Sequence, residues 1–235
     1  ALYRDLLQQD GYEDGHVHVK EHYNDWREII ASFGLGERFA NTDVREQAKG
    51  YLPTTEFYNR IYGQKGWKAI TIRSLSIGQG EILVTPLQLA NQAAAIANKG
   101  YYITPHFNRN DSMKSDIHTT LVDSIHFDVV HRGMERVMTN GTGRWYNIPE
   151  LQMCGKTGTV QNPHGEDHAL FIGFAPKDNP QIAVAVAVEN AGFGATWACP
   201  MATLVMEQYL TGEIKRNALY ERMVNANLID KSDEE

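Results

Sequence analysis

Four consecutive residues, Lys156, Thr157, Gly158 and Thr159, carry the most concentrated chemistry in this sequence. An ammonium beside two hydroxyls can grip a carboxylate through charge-assisted hydrogen bonds. Exposed backbone N–H groups on the same segment can stabilise a developing oxyanion. Glycine at the third position lets a ligand or another backbone come close where any side chain would clash. These properties fit an exposed β-strand over residues 154–161. Its period of two sends Lys156 and Gly158 to one face and Thr157 and Thr159 to the other. A tripeptide of this kind also fits a turn or an edge strand with a solvated lysine, so its surroundings decide between the readings.

Other chemistry-bearing residues compete less well. Asp167 and His168 stand just before a strand and are possible neighbours of the site, against the plainer reading of a loop aspartate and a satisfied histidine. Glu189 and Asn190 end a strand near the same cleft, where capping the next loop is the simpler role. Phe193 and Trp197 could line a groove or pack on the last helix. His16, His18 and His22 form the densest histidine group, and His18 with His22 has the i, i+4 spacing of a helical metal pair. No acidic residue stands where the zincin arrangement puts its general base, and the segment reads as an irregular solvated loop without a metal. Cys154 and Cys199 lack metal-ligand spacing, nothing in their positions demands a disulfide, and Cys154 reads as a small buried hydrophobe.

The elements that must position these residues follow from pattern. Leu2, Leu6 and Leu7 have helical spacing, and residues 11–15 read as a loop. Trp26, Ile29, Ile30 and Phe33 predict an amphipathic helix over residues 23–33, stopped by Gly34 and Gly36. Residues 37–68 are polar, rich in Tyr and turn formers, and read as a long surface excursion. Gly78 and Gly80 suggest a tight turn, after which Thr85 and Pro86 supply an N-cap and first-turn proline for a closely packed helix ending near Asn98. A short strand over residues 101–105 and a surface loop over residues 108–115 come next. Val130, Met134, Val137 and Met138 predict a helix over residues 127–139, closed by Asn140-Gly141 and a loop through Arg144. Pro149 introduces the central strand, with Leu151 and Met153. Two more strands, residues 169–175 and 181–189, follow through connections too short for helical crossovers, so the three form an antiparallel meander. The last strand reads as buried on both faces. Pro200 opens a helix carrying Leu204, Val205, Tyr209 and Leu210, and residues 225–235 form a polar tail after a domain reaching residue 224.

Bulk properties narrow the partners. At 235 residues the chain can bury a sizeable core, and 42% hydrophobic with 22% charged residues is ordinary for a soluble globular protein. A net charge of −7 argues against a nucleic-acid partner held by phosphate contacts. The longest strongly apolar run, from Ile182 to Val188, is far too short to span a bilayer. No charged stretch followed by an apolar run opens the chain, so no signal peptide is read there.

Several blocks, in a fixed order, resemble the transpeptidase domain of class B penicillin-binding proteins, closest to the elongation-specific members. They are Phe33-Gly-Leu-Gly36, Gly50-Tyr-Leu-Pro53, Ser76-Ile-Gly-Gln-Gly-Glu81 with Val84-Thr-Pro-Leu-Gln-Leu-Ala90, and Cys154 to Gln161, which looks like the family's K-T-G-T strand. Asp167-His168-Ala169, Phe171-Ile-Gly-Phe-Ala-Pro176, Val188-Glu-Asn190 and the glycines Gly192 and Gly194 complete the match. The resemblance implies an α/β fold of the α+β type, an antiparallel sheet flanked by helices, incomplete on its N-terminal side. It implies a serine D,D-transpeptidase that cross-links peptidoglycan by acyl transfer between stem peptides, and that β-lactam antibiotics trap. Such a protein needs no cofactor, faces the periplasm from an anchor in the bacterial inner membrane, and works with membrane proteins of the elongation machinery. Lys156 and Thr157 would position the substrate's terminal carboxylate. Thr159 would offer its N–H to the oxyanion hole and its hydroxyl to substrate, and Gly158 would keep the strand open to a peptide lying alongside.

One departure matters. None of Ser32, Ser74, Ser76, Ser112, Ser115, Ser124 and Ser232 has a lysine three residues on, and no Ser-x-Asn is present. The family's nucleophile and second motif are therefore not found here, and this chain alone is predicted to be inactive. The alternative is a non-catalytic module that binds stem peptide or cell-wall machinery through the same groove. A β-lactamase or carboxypeptidase sharing K-T-G fits the block from Gly78 to Ala90 less well.

Overall fold

The computed structural model describes residues 17–108 and 116–229. The expected helix around Leu2, Leu6 and Leu7, the residues 11–15 loop, His16 and most of the residues 108–115 loop lie outside the described residues. The chain divides into two compact units, Ala1–Thr85 with Ile103–Val122, and Pro86–Tyr102 with Asp123–Glu235.

In the first unit, α1 (Val17–Ala31) starts earlier than its apolar spacing suggests. His18 and His22 therefore sit on a helix, not in an irregular loop, and His22 lies 4.0 Å from Asp25 one turn on. Residues 37–68 are the larger correction. They contain α2 (Thr55–Tyr62), whose N-cap Thr54 accepts from the Phe57 N–H. They also supply the unit's core, because Tyr58 and Trp67, 0% and 1% exposed, pack edge-on against Tyr23. Each buried polar tip finds a partner: Tyr23 donates to the Pro53 carbonyl at 2.7 Å, Tyr58 to Glu81 at 2.9 Å, and Trp67 to Asn59 at 3.0 Å. Amphipathic aromatics leave no 3.6-residue signature, which is why the stretch reads as surface.

The second unit begins with α3 (Pro86–Ala97), as Thr85-Pro86 predicts. Next come β1 (Tyr101–Ile103) and, past β2 (Ile117–Thr119) of the first unit, α4 (Phe127–Thr139). The buried stripe of α4 is Phe127, His131, Met134 and Met138; Val130 is exposed instead. His131 turns inward because its Nε2 hydrogen-bonds the Ile96 carbonyl at 2.7 Å while its ring lies against Phe174. Pro149–Leu151 is a 3₁₀ turn and not the start of a strand. The meander proper is β3 (Cys154–Val160), β4 (His168–Ala175) and β5 (Ile182–Val188), antiparallel in the order β3-β4-β5. The expected central strand, β3, is thus an edge, and β4 is central. Finally come α5 (Ala198–Thr211), with Pro200 inside its first turn, and α6 (Asn217–Val224). Helix α6 was not anticipated, although Leu219, Tyr220, Met223 and Val224 carry helical spacing.

Helices cover both faces of the sheet. Helix α5 packs on β4 and β5, α3 packs on β4 and β5, and α4 packs on β3. One core layer holds Met153, Phe171, Ala202 and Met206 with Val184, Val186 and Val188; the other holds Ala97, Met134, Cys154 and Phe174 with Ala183. The alternation in β5 sorts its valines to one layer and its alanines to the other. A buried ion pair locks α6 down: Arg216 Nε donates to Glu207 at 2.8 Å, and Nη1 to the Tyr146 carbonyl at 2.8 Å.

Candidate active site

The site is built on β3. Its register against β4 sets Lys156 opposite Ile172, Thr157 opposite Phe171, Gly158 opposite Leu170 and Thr159 opposite Ala169. The strand goes from buried to open along its length. Cys154 and Gly155 are buried, Lys156 is exposed, and Thr157 to Val160 are half-buried. A side chain on Gly155 would run into the Phe171 ring, so this glycine seats the strand on the core. Burial pushes the Cys154 thiol up to about 12, which leaves it protonated and inert. No described strand pairs with the outer edge of β3. An edge of this kind is where an extended peptide can add.

Two loops brace the strand. The first carries Thr142, whose hydroxyl lies 2.9 Å from that of Thr157. Thr142 is held from both sides. A side chain at Gly141 would meet the Val137 backbone at 2.8 Å, and one at Gly143 would meet Met138 Sδ at 2.6 Å. The Gly143 N–H donates to the Val137 carbonyl at 3.0 Å, folding the loop back over the end of α4. Sequence reasoning passed over Thr142 as part of a loop. The flanking glycines were the available signal.

The second loop follows β5. Gly194 lies so close to β3 and β4 that a Cβ there would collide with the carbonyl oxygens of Gly158 and Leu170. The Gly194 carbonyl also accepts from the Cys199 N–H at 2.8 Å, so one residue touches the candidate strand and anchors the start of α5. Phe193 is 71% exposed beside it. Trp197 instead packs into the core, with the Arg222 guanidinium over its ring at 5.4 Å.

Lys156 projects from the strand and folds back so that Nζ donates to the Thr157 carbonyl at 2.5 Å. The hydroxyls of Thr142 and Thr157 and the Lys156 ammonium therefore surround one short stretch of edge. Together they offer a cation and hydroxyl donors to an anionic group.

Asp167 and His168 sit at the far end of the β3–β4 hairpin, where His168 faces Val160 across the ladder. Asp167 Oδ1 accepts from the Asn162 N–H at 3.1 Å, and its carbonyl accepts from Ala191 and Gly192 at 3.0 and 2.7 Å. His168 Nδ1 accepts from the Asn190 N–H at 3.0 Å, which puts the proton of the neutral ring on Nε2. Asn190 Oδ1 in turn accepts from Asn162 at 2.7 Å. This network ties the hairpin to the glycine loop, so both residues act on the strand through the loop that braces it. Among the described residues no group of three or more His, Cys, Asp or Glu is placed to hold a metal ion.

Residues 16–207 match the penicillin-binding protein transpeptidase domain family. The peptidoglycan D,D-transpeptidase MrdA of Acinetobacter baumannii is 33% identical over 211 residues, covering 80% of this chain and 30% of its own. MrdA of Haemophilus influenzae is 32% identical over 220 residues, covering 81% of this chain and 33% of its own. The chain thus spans about a third of the length of these curated relatives. Among solved structures, Pseudomonas aeruginosa PBP2 in complex with WCK 5153 superposes with a TM-score of 0.69 at 33% identity, over 86% of this chain and 49% of that one. Helicobacter pylori PBP2 in complex with MreC superposes with a TM-score of 0.70 over 90% of this chain and 38% of that one; at 24% identity it speaks to the fold.

Proposed function

Because this chain belongs to the penicillin-binding protein transpeptidase family, we propose that it carries the substrate-binding edge of a D,D-transpeptidase that cross-links peptidoglycan. One observation carries the reading: Lys156, Thr157, Gly158 and Thr159 lie on an open sheet edge, braced by Thr142 on one side and Gly194 on the other. A stem peptide lies along β3 as an added strand, with Gly158 leaving room for its backbone. Lys156 exchanges its bond to the Thr157 carbonyl for the terminal carboxylate of the peptide, and the Thr157 hydroxyl, oriented by Thr142, completes the grip. The N–H of Thr159 faces the oxygen that becomes negative as the penultimate D-Ala carbonyl is attacked. A donor in that role is worth about 3 kcal/mol of barrier.

The attacking serine is not in these 235 residues, since no serine has a lysine three residues on. The chain supplies binding and oxyanion stabilisation, and the nucleophile belongs to polypeptide outside it. The assembled site works at the periplasmic face of the inner membrane, alongside elongation-machinery membrane proteins, and β-lactams occupy the same edge.

Backbone NMR titration with a peptide ending in D-Ala-D-Ala tests this. Shifts confined to Thr142 and residues 156–159 are expected, and they should be lost in Lys156→Ala. Shifts elsewhere, or none, would overturn the assignment of this edge.

A further inference from the structure

The two loops that brace β3 meet again on helix α6, at Arg222. Its Nη1 donates to the Tyr146 hydroxyl at 3.3 Å, its Nη2 donates to the Thr196 carbonyl at 3.1 Å, and the guanidinium lies over the Trp197 ring at 5.4 Å. Tyr146 ends the 3₁₀ turn Arg144–Tyr146 that follows Thr142, and its N–H donates to the Gly143 carbonyl at 3.0 Å. Thr196 follows Gly194, and its N–H donates to the Phe193 carbonyl at 2.9 Å. Each loop is thus a hydrogen-bonded turn with one end on β3 and the other on the same guanidinium. Tyr146 and Trp197 also pack on the core, so Arg222 joins two anchored points. A second arginine fixes the start of the helix, since Arg216 at its N-cap donates to the Tyr146 carbonyl at 2.8 Å. Helix α6 stands beyond residues 16–207, the stretch that matches the family.

We propose that Arg222 is a positioning residue for acyl transfer, an inference that rests on the transpeptidase reading above. The Thr142 loop sets the Thr157 hydroxyl, which belongs to the grip on the substrate carboxylate. The Gly194 loop presses on the Gly158 carbonyl, beside the Thr159 N–H that serves the oxyanion. Grip and oxyanion donor are two residues apart on one strand, a span of about 7 Å. A planar guanidinium with several fixed donors holds both loops at once and so fixes that span, which a lysine ammonium could not do. The resting complex and the transition state ask different things of it. A bound peptide keeps its carboxylate in the grip even when its carbonyl sits slightly off the Thr159 N–H. The tetrahedral transition state needs both ends in register. Releasing the loops therefore raises the barrier more than it weakens binding.

Rate and affinity, measured separately on the longer polypeptide that includes the upstream Ser-x-x-Lys segment, test the role. The rate is that of acylation by saturating benzylpenicillin, and the affinity is that for a peptide ending in D-Ala-D-Ala. Arg222 is exposed, so Arg222→Ala should leave far-ultraviolet circular dichroism unchanged. It should slow acylation about tenfold, as a small misplacement of reacting groups does. Its peptide dissociation constant should change by less than about twofold. Tyr146→Phe removes only the hydroxyl end of the tie and should slow acylation about threefold. The double variant should be no slower than Arg222→Ala, because both changes break one connection. Unchanged acylation in Arg222→Ala, equal losses of rate and affinity, or additive losses in the double variant would overturn the positioning role while leaving the transpeptidase reading in place. A wild-type polypeptide that forms no adduct would overturn that reading, and this inference with it.

Discussion

The two edges of one sheet differ in almost everything except exposure. Edge β3 carries a lysine, two threonines and two glycines, and loops from α4 and β5 hold it in place. Edge β5 carries only aliphatic residues, with an apolar groove above it. Polar residues on β3 oppose indiscriminate strand addition while leaving a specific peptide something to bind. Valine and alanine on β5 favour any strand of matching pattern. A polar, braced strand and an aliphatic one thus share a sheet because β4 keeps them apart.

The largest effect that would sharpen this contrast is on the β5 side. Glu207→Ala leaves the Arg216 guanidinium in a buried setting without its carboxylate, and truncating one partner of such a pair costs about 3 kcal/mol or more. Urea denaturation should show that loss, and α6 should detach from the groove while the peptide-induced shifts on β3 persist. On the β3 side, Gly194→Ala forces a methyl group onto two backbone carbonyls and should cost about 2–3 kcal/mol. That variant should lose peptide binding. A smaller effect, about 1 kcal/mol, is expected for Thr142→Val, which removes one hydrogen bond at an exposed position. It should weaken peptide binding more than it weakens the fold.

The thiols give the mildest probe. Burial raises both Cys154 and Cys199 to about 12, so each stays protonated in the folded chain where it would ionise once unfolded. Their contribution to stability is complete below the ordinary thiol value near 9 and is lost as pH rises from there toward 12. Native protein should therefore resist a thiol reagent at mildly alkaline pH. Gly194→Ala should expose Cys199 first, because the Gly194 carbonyl holds the start of α5.

Much of this contrast is readable from sequence, for identifiable reasons. The β3–β4–β5 meander follows from period-two patterns and short connections, and the K-T-G-T strand from residue type and order. Thr142 is silent because its role comes from a fold that brings residues 142 and 157 together. The edge position of β3 is equally silent, since strand order depends on pairing partners and not on composition. In the first unit, Tyr58 and Trp67 look like surface residues until their polar tips find Glu81 and Asn59.

The central claim is that this chain holds the binding edge of a transpeptidase whose nucleophile lies outside it. Intact mass after incubation with a β-lactam tests it most directly, comparing this chain with a longer polypeptide that adds an upstream Ser-x-x-Lys segment. No adduct is predicted on the 235 residues and one on the longer protein. An adduct on the shorter chain, or none on either, would contradict the account.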